Sequence, residues 1–133
     1  MVTGCNTGLG QGMALALAQA GADVVGVNFT DPAETPDLIA STGRKFYDIR
    51  ADVSQIDQLP QLIANAVSQA GRLDILVNNA GIIRREDAIN FSEKDWDEVM
   101  DVNLKSVFFL SQAAAKQFIA QGEGGKIVNI ASM

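Results

Sequence analysis

Short β-branched runs alternate with longer helical stretches along the 133-residue chain, and this alternation limits the possible folds more than any other feature. The runs Val24–Val27, Ile75–Val77 and Ile127–Ile130 are continuously apolar, which is typical of parallel strands buried on both faces. Lys45–Ile49 is a weaker strand candidate. The pattern predicts an α/β fold, a doubly wound parallel sheet in three α/β/α layers.

Helical spacing covers Gly10–Ala20, Ser54–Ala70 and Ser92–Gln121. Gly21 and Gly71 follow the first two stretches, at positions where a left-handed residue commonly ends a helix. We therefore expect a helix in each of these three connections between strands.

Two Ser-x-x-Asp sequences resemble a capping box with aspartate in place of glutamate: Ser54 with Asp57, and Ser92 with Asp95. Each predicts the beginning of a helix. Pro60 lies inside the second helical stretch, where its missing N–H predicts either a kink or a short first turn.

The chain is long enough for one domain and too short for two. Only Met1–Thr3 precede the first glycine, whereas a strand usually has about five or six residues. At the other end, Met133 directly follows a strand, which would leave an open sheet edge. We expect residues 1–133 to form a single domain that is incomplete at both ends, a piece of a longer protein truncated after the fifth strand.

Composition and charge exclude several classes of function. The ten basic residues are scattered among sixteen acidic ones, which disfavours nucleic-acid binding. No apolar run reaches the roughly 18 residues that span a bilayer, and no signal peptide is recognisable, so no membrane contact is expected. The chain has no histidine and a single thiol, Cys5, which we expect to pack beside the glycines. This composition predicts no metal site and no internal disulfide, as in a cytoplasmic protein.

A glycine-rich turn, T-G-C-N-T-G-L-G over Thr3–Gly10, joins the first strand to a helix. Glycines permit positive φ and close approach of the backbone to a ligand, and the N–H groups that begin a helix favour a pyrophosphate. The spacing is neither that of a P-loop nor G-x-G-x-x-G. The turn predicts a Rossmann-type dinucleotide-binding domain, with a plain strand-to-helix turn as the alternative. The candidate contacts are Gly4, Asn6, Thr7, Gly8, Leu9 and Gly10.

The neighbouring charges indicate which dinucleotide would bind. Asn28 stands twenty residues after Gly8, where NAD enzymes usually carry an acid for the adenosine ribose. An amide can bond a ribose hydroxyl but does not repel a 2′-phosphate. The first basic residue is Arg44, and it is preceded by Asp23, Asp31, Glu34 and Asp37. A 2′-phosphate would meet acids without a cation in this segment, so NAD is predicted unless a more distant arginine folds back.

Three motifs occur in a fixed order: T-G-x-x-x-G-x-G, then N-N-A-G over Asn78–Gly81, then I-V-N-I-A-S over Ile127–Ser132. Together they resemble the short-chain dehydrogenase/reductase family over the whole chain. The resemblance implies an NAD-dependent oxidoreductase that moves a hydride between nicotinamide and a secondary alcohol or ketone. From Gly81 onward the sequence resembles family members that act on deoxy sugar acids in the breakdown of pectin and uronates.

The resemblance also implies further cofactor contacts. Asp52 and Val53 match the pair that holds the adenine ring, and Asn79, Ala80 and Gly81 match residues that line the cofactor. Asp52 has an alternative role as an acid near a helix N-terminus. Asn78 and Asn79 could also be turn residues that tie the backbone together, and this role is compatible with lining the cofactor.

For catalysis, the resemblance assigns Ser132 to the reacting oxygen, and thus to substrate binding, and Asn103 to a proton-relay water. Helical spacing supports Asn103 independently, because it falls on an apolar face where a buried amide needs hydrogen-bond partners. That face comprises Trp96, Val99, Met100, Val107 and Leu110.

The family's catalytic Tyr-x-x-x-Lys motif is the main departure. Tyr47 is the only tyrosine, and no lysine stands four residues after it. We therefore expect residues 1–133 alone to be inactive.

Arg84 and Arg85 follow the N-N-A-G turn. A guanidinium there would suit the carboxylate of a sugar acid, which makes Arg84 a candidate for substrate binding. The alternative is a solvated loop in which these arginines pair with Glu86 and Asp87.

Other functions stay open from sequence. Another short-chain reductase, for example one that acts on 3-ketoacyl thioesters, would share the motifs. A chain that ends at Met133 would be at most a non-catalytic nucleotide-binding remnant. A methyltransferase is disfavoured because its glycine spacing differs. In the family the long helix packs against a partner subunit, so a homo-oligomer, a dimer or tetramer, is expected.

Overall fold

Five strands form one sheet in the computed structural model, which describes residues 1–131. They are β1 (Val2–Thr3), β2 (Val24–Asn28), β3 (Phe46–Arg50), β4 (Ile75–Asn78) and β5 (Lys126–Asn129). Their order across the sheet is β3-β2-β1-β4-β5, and every neighbouring pair is parallel. The predicted doubly wound parallel sheet is confirmed.

Helices cover both faces of this sheet. They are α1 (Gly8–Gln19), α2 (Thr35–Ala40), α3 (Leu59–Ala70), α4 (Glu93–Met100) and α5 (Ser106–Gln121). Residues of α1 and α2 share one buried apolar cluster with β1, and residues of α3 and α5 share the other with β2 and β3. The three-layer α/β/α arrangement follows. Within residues 1–131, no helix has both the length and the apolarity that a membrane crossing requires.

The packing of strand β2 explains why its residues are apolar at consecutive positions instead of alternating with polar ones. Val24 packs in the cluster with α1 and α2, whereas Val25 and Val27 pack in the cluster with α3 and α5. All five residues of the strand are buried. A strand covered on both faces needs apolar side chains in both directions.

Strand β5 departs from the prediction of a buried strand. Ile127, Val128 and Ile130 are 37%, 44% and 41% exposed. The strand lies at the sheet edge and packs mainly against β4, whereas the opposite edge strand, β3, is covered by α2 and α3. The apolar run therefore identified the strand, and the exposure of the strand agrees with the open sheet edge that the sequence predicted there.

The second helical stretch begins later than expected. A 3-10 turn, Ile56–Gln58, precedes α3, and the hydroxyl of Ser54 donates to Asp52 at 2.7 Å. The prediction that Ser54 caps this helix is therefore wrong. Pro60 lies in the first turn of α3, where a missing N–H removes no helical hydrogen bond. Of the two predictions for Pro60, a kink or a position in a short first turn, the second is therefore correct.

The other helix-boundary predictions are confirmed. Ser92 Oγ accepts a hydrogen bond from the Asp95 N–H at 3.1 Å and donates to the Asp95 carboxylate at 2.8 Å. Gly21 and Gly71 have φ values of 102° and 86°, and they end α1 and α3. The third stretch is not one regular helix, because a π-helical segment, Asp101–Lys105, joins α4 to α5. Such segments often occur at functional sites.

Candidate active site at the carboxyl ends of the strands

The chain reverses direction across the sheet at β1. It runs from β1 outward through β2 to β3 and then crosses to β4 on the other side of β1. Open α/β sheets bind ligands in the crevice that this reversal creates at the carboxyl ends of the strands. A groove of about 550 Å³ opens there. Its lining includes seven of the predicted site residues: Gly4, Asn6, Asp52, Val53, Ala80, Gly81 and Arg84.

The glycine turn has a conformation that other residues would disturb. Gly4 has a φ of +65°. A Cβ on Gly10 would overlap the Gly4 carbonyl oxygen and the side-chain amide of Asn79. Gly10 is buried and therefore shapes the turn from inside.

The first residues of α1 are open to solvent. Thr7, Gly8 and Leu9 are exposed, and the Thr7 side chain makes no capping hydrogen bond within the described residues. A Cβ on Gly8 would have no neighbour within 4 Å. Uncapped N–H groups beside open space are what a pyrophosphate requires, so this turn fits a dinucleotide.

The structure revises the predicted role of Asn28. Its Oδ1 accepts a hydrogen bond from the Cys5 N–H at 2.8 Å, and its Nδ2 lies 3.7 Å from the Cys5 sulfur. The residue is only 2% exposed. Asn28 therefore holds the glycine turn from below, with both ends of its amide engaged by Cys5.

Cys5 lies under the same turn, with no exposed surface. Burial raises the pKa of its thiol, and the hydrogen bond from Asn28 lowers that pKa by less. We expect the native protein to react with a thiol reagent such as Ellman's reagent at least ~100-fold more slowly than the urea-unfolded protein. Glutathione in the same buffers is the control for the reagent. Equal rates in both states would show that the turn does not shield Cys5.

Asp52 faces the groove from the segment after β3. Its Oδ1 accepts hydrogen bonds from the Ser54 N–H at 3.0 Å and the Ser54 hydroxyl at 2.7 Å, and its Oδ2 accepts one from Gln55 at 3.4 Å. Partial desolvation raises the pKa of Asp52, but these hydrogen bonds outweigh it and hold the pKa below its usual range. The group is a fixed carboxylate acceptor at neutral pH, as the predicted adenine contact requires.

Thr3 joins β1 to the N-N-A-G turn. Its hydroxyl oxygen accepts hydrogen bonds from the N–H groups of Asn79 at 3.0 Å and Ala80 at 2.9 Å. The side chain of Asn79 donates to the carbonyl groups of Thr3 at 3.0 Å and Gly4 at 2.9 Å. The structural role proposed for this asparagine is confirmed, and its contact with a cofactor stays a prediction.

Asn103 anchors the segment that follows this turn. Its Oδ1 accepts from the Ile82 N–H and its Nδ2 donates to the Ile82 carbonyl, both at 2.8 Å. The prediction of a buried amide is wrong, because Asn103 is exposed and Trp96 on the same face is 59% exposed. The π-helical segment carries Asn103, so the spacing of a regular α-helix misplaced it. Its predicted need for hydrogen-bond partners is met by the backbone of Ile82.

Arg84 contacts neither of the partners that the sequence analysis proposed for it, a substrate carboxylate or the neighbouring Glu86 and Asp87. Its Nη2 lies 2.7 Å from a Glu98 carboxylate oxygen and its Nε lies 3.5 Å from one of Asp95. Arg84 therefore fastens the loop after β4 to α4. Two neighbouring carboxylates offset its positive charge, so the structure does not present it as a free cation for a substrate.

Several residues at the groove or beneath its glycine turn were not predicted from the sequence. Thr35 is fully buried, and its hydroxyl donates to the Cys5 carbonyl at 2.8 Å. Phe29 and Thr30 line the groove, and Phe29 is 73% exposed. The only signal for Phe29 and Thr30 was their position directly after a buried strand, where ligand contacts in this fold are common. Ser132 lies outside the described residues.

Comparison with known proteins identifies the class that this fold and groove define. The short chain dehydrogenase family matches the chain over residues 1–133, so the chain belongs to that family. Members of the family bind nicotinamide dinucleotides.

Individual members of this family show which proteins the chain resembles most strongly among those compared below. The chain is 65% identical, over all of its 133 residues and 53% of the relative, to 2-dehydro-3-deoxy-D-gluconate 5-dehydrogenase of Escherichia coli K12. A solved structure from Agrobacterium tumefaciens, assigned as a 2-deoxy-D-gluconate 3-dehydrogenase with bound NADP, is 51% identical with a TM-score of 0.82. The superposition covers 98% of this chain and 51% of that one. A short-chain dehydrogenase/reductase from Mycobacterium marinum is 38% identical with a TM-score of 0.93, over 98% and 54% of the chains. The chain thus spans about half the length of the relatives it matches.

Proposed function

We propose that the protein is an NAD-dependent dehydrogenase that acts on a secondary hydroxyl or ketone of a deoxy sugar acid of the 2-dehydro-3-deoxy-D-gluconate type. The observation that carries this proposal is the groove at the carboxyl ends of β1 and β4, which combines the glycine turn with the N-N-A-G turn. The identity with the Escherichia coli enzyme supports the substrate class.

Different residues of the groove would bind different parts of the dinucleotide, according to their chemistry. The N–H groups at the start of α1, at Thr7 to Leu9, would hold the pyrophosphate. Asp52 would accept a hydrogen bond from the adenine amino group, beside the apolar side chain of Val53. Ala80 and Gly81 would line the nicotinamide end, since both come from the carboxyl end of β4. When bound, the cofactor supplies or accepts the hydride.

NAD is favoured over NADP by the acids that follow β2. Asp31, Glu34 and Asp37 follow β2 along the chain, in the segment that would meet the adenosine ribose. Their charge repels a 2′-phosphate but tolerates a hydroxyl. The Agrobacterium relative holds NADP, which makes a direct comparison of the two cofactors necessary.

Substrate chemistry would fall to Ser132 and Asn103, with a tyrosine and a lysine from further along the gene product. Tyr47 is no substitute, because it lies in β3 and packs against the core. We propose that residues 1–133 alone have no turnover, and that the complete protein works in the cytoplasm as a homo-oligomer in uronate breakdown.

The coding sequence beyond Met133 is the first test. A Tyr-x-x-x-Lys motif at the family spacing, with an intact mass near twice the 14.1 kDa of this chain, would support the dehydrogenase. That protein would then be titrated with NADH and assayed with a panel of sugar acids and 3-ketoacyl thioesters. A stop after Met133 would leave a cofactor-binding remnant, and turnover of thioesters alone would overturn the substrate class.

Ser132→Ala tests the catalytic assignment in the complete gene product. We expect kcat to fall by about 100-fold or more, because a hydrogen bond to the reacting oxygen is lost. The Kd of NADH should stay within about twofold, since the serine is assigned to the substrate. An unchanged kcat would refute the role, and Ser68→Ala, at an exposed serine of α3 that does not line the groove, serves as the serine control.

A further inference from the structure

Two polar side chains join the glycine turn to the end of the β2–α2 connection, residues 29–34. The hydroxyl of Thr35 donates to the carbonyl oxygen of Cys5 at 2.8 Å and lies 3.3 Å from that of Asn6. The side-chain amide of Gln11 donates to the Asn6 carbonyl oxygen at 3.2 Å and to the Thr35 hydroxyl oxygen at 3.0 Å. The Thr35 hydroxyl therefore uses both its donor and an acceptor position in this network.

The network links two sides of the groove. Asn6 lines the groove from the glycine turn, and Phe29 and Thr30 line it from the β2–α2 connection. That connection leads directly into α2, whose first residue is Thr35. The separation between Thr35 and the turn therefore helps to set the width of the groove, although neither Thr35 nor Gln11 lines it.

Burial makes this network stronger than a second side-chain link between the same two segments. Asn6 also donates to the Thr30 hydroxyl oxygen at 3.1 Å, but that bond is exposed, and water can replace it. Thr35 and Cys5 have no exposed surface. A buried carbonyl that loses its donor keeps the cost of desolvation without a partner. The hydroxyl of Thr35 therefore holds the turn more firmly than the exposed bond does.

Peptide planarity transmits these contacts to the groups that would bind a pyrophosphate. The carbonyl of Asn6 and the N–H of Thr7 belong to one planar peptide unit, so a fixed carbonyl direction fixes the direction of that N–H. The Thr7 N–H is the first of those assigned to the pyrophosphate at the beginning of α1. Gln11 lies in the first turn of the same helix, and its amide holds the Asn6 carbonyl from that side.

We propose, on the basis of the proposed dinucleotide-binding function, that Thr35 and Gln11 are positioning residues for the dinucleotide. They hold the glycine turn in the orientation, and at the separation from the β2–α2 connection, that one ligand needs to contact both. The network acts on the adenosine and pyrophosphate half of the ligand, because the segments that it links lie beside those groups, whereas Ala80 and Gly81 would line the nicotinamide end.

The test variants are Thr35→Val, Thr35→Ser and Gln11→Leu, made in the complete gene product. Valine has the shape of threonine without the hydroxyl, and serine keeps the hydroxyl without the methyl group. NADH and ADP would be titrated separately, since ADP carries the adenosine and a pyrophosphate but no nicotinamide. Urea denaturation would show that each variant is folded under the conditions of the titration.

We expect Thr35→Val to raise the Kd of NADH and that of ADP by about tenfold each, because the Cys5 carbonyl loses its buried donor. Thr35→Ser should keep both values within about threefold of the unaltered protein. At saturating NADH, kcat should change by less than about twofold, since the network does not contact the reacting groups. A loss of NADH affinity without a loss of ADP affinity would overturn the assignment, and so would equal losses in the valine and serine variants.

Gln11→Leu tests the network at a half-buried position, where a folded protein is expected even if Thr35→Val is unstable. The substitution should raise the Kd of NADH and that of ADP by about fivefold, because the Asn6 carbonyl loses the amide that orients it. In the Thr35→Val background it should add less than about twofold, since both residues act through one set of hydrogen bonds. An unchanged Kd in Gln11→Leu, or effects that multiply in the double variant, would overturn the shared role.

Thr42→Val is the matched control. The Thr42 hydroxyl donates to the Ile39 carbonyl at 2.7 Å, and the residue does not line the groove. This variant loses a comparable hydrogen bond, so both Kd values should stay within about twofold of the unaltered protein. A rise of about tenfold would show a general effect of threonine replacement and would contradict the assignment. If the unaltered protein binds neither NADH nor ADP, the proposed function fails; if it binds NADH and Thr35→Val binds NADH equally well, only this inference fails.

Discussion

Gly10→Ala is expected to weaken dinucleotide binding by the complete gene product severely. The added Cβ would overlap the carbonyl oxygen of Gly4 and the side-chain amide of Asn79. Neither group can withdraw freely, because that amide already donates to the carbonyl groups of Thr3 and Gly4. Overpacking of this kind costs about 1–3 kcal/mol of folding free energy. Displacement of the turn should raise the Kd of NADH by at least ~100-fold, equivalent to about 2.7 kcal/mol.

Gly12→Ala is the control for this substitution. Gly12 lies two residues further along α1, and a Cβ there would have no neighbour within 4 Å. Alanine in a helix interior is more stable than glycine by about 0.5–1 kcal/mol, so urea denaturation should show a small gain and NADH should bind as before. NADH binding by Gly10→Ala that equals binding by Gly12→Ala would show that the turn does not shape the site.

Thr3→Val is expected to be the most destabilising conservative change near the groove. Thr3 is 2% exposed, and its hydroxyl accepts the N–H groups of both Asn79 and Ala80. Valine has nearly the same shape but no acceptor, which would leave two backbone donors without a partner at about 1–3 kcal/mol each. We expect a loss of about 2–4 kcal/mol in the free energy of unfolding, measured by urea denaturation. NADH binding should weaken too, because Ala80 lines the groove.

Thr3→Ser separates the hydroxyl from the methyl group. Serine keeps the acceptor and loses one buried methyl, so we expect a loss of only about 1 kcal/mol. The difference between the valine and serine variants measures the two hydrogen bonds. If both variants lose the same stability, the hydroxyl contributes nothing and the tie between β1 and the N-N-A-G turn is not what holds that turn.

The sheet was largely predictable, because its interior strands carry their own signal. Val24–Val27 and Ile75–Val77 are apolar without alternation, and both became interior strands next to β1. The same signal in Ile127–Ile130 predicted the strand, and its exposure agrees with the open sheet edge expected there. Burial depends on what packs against a strand, and its own residues do not encode that.

The sequence predicted which residues lie at the candidate site better than it predicted the side-chain contacts that they make. The glycine turn, Asp52 and Ala80 lie at the groove, as their places after strands indicated. Asn28 and Arg84 lie where they were expected but use their side chains differently. Asn28 bonds Cys5, twenty-three residues away, and Arg84 bonds Glu98, fourteen residues away. Such partners come together only through the crossing of strands and helices.

Sequence by itself determined the properties that depend on near neighbours: continuous apolar strands, the glycines of the turn, the cap at Ser92 and the family motifs. Tertiary structure alone decided which distant groups meet, above all Arg50 beside Asp31 and Thr3 beneath the turn at Asn79. The physical reason is the distance along the chain over which each kind of interaction acts. Backbone conformation and hydropathy are set by residues within a few positions, whereas a side-chain hydrogen bond or ion pair needs atoms within about 3–4 Å in space, whatever their separation along the chain.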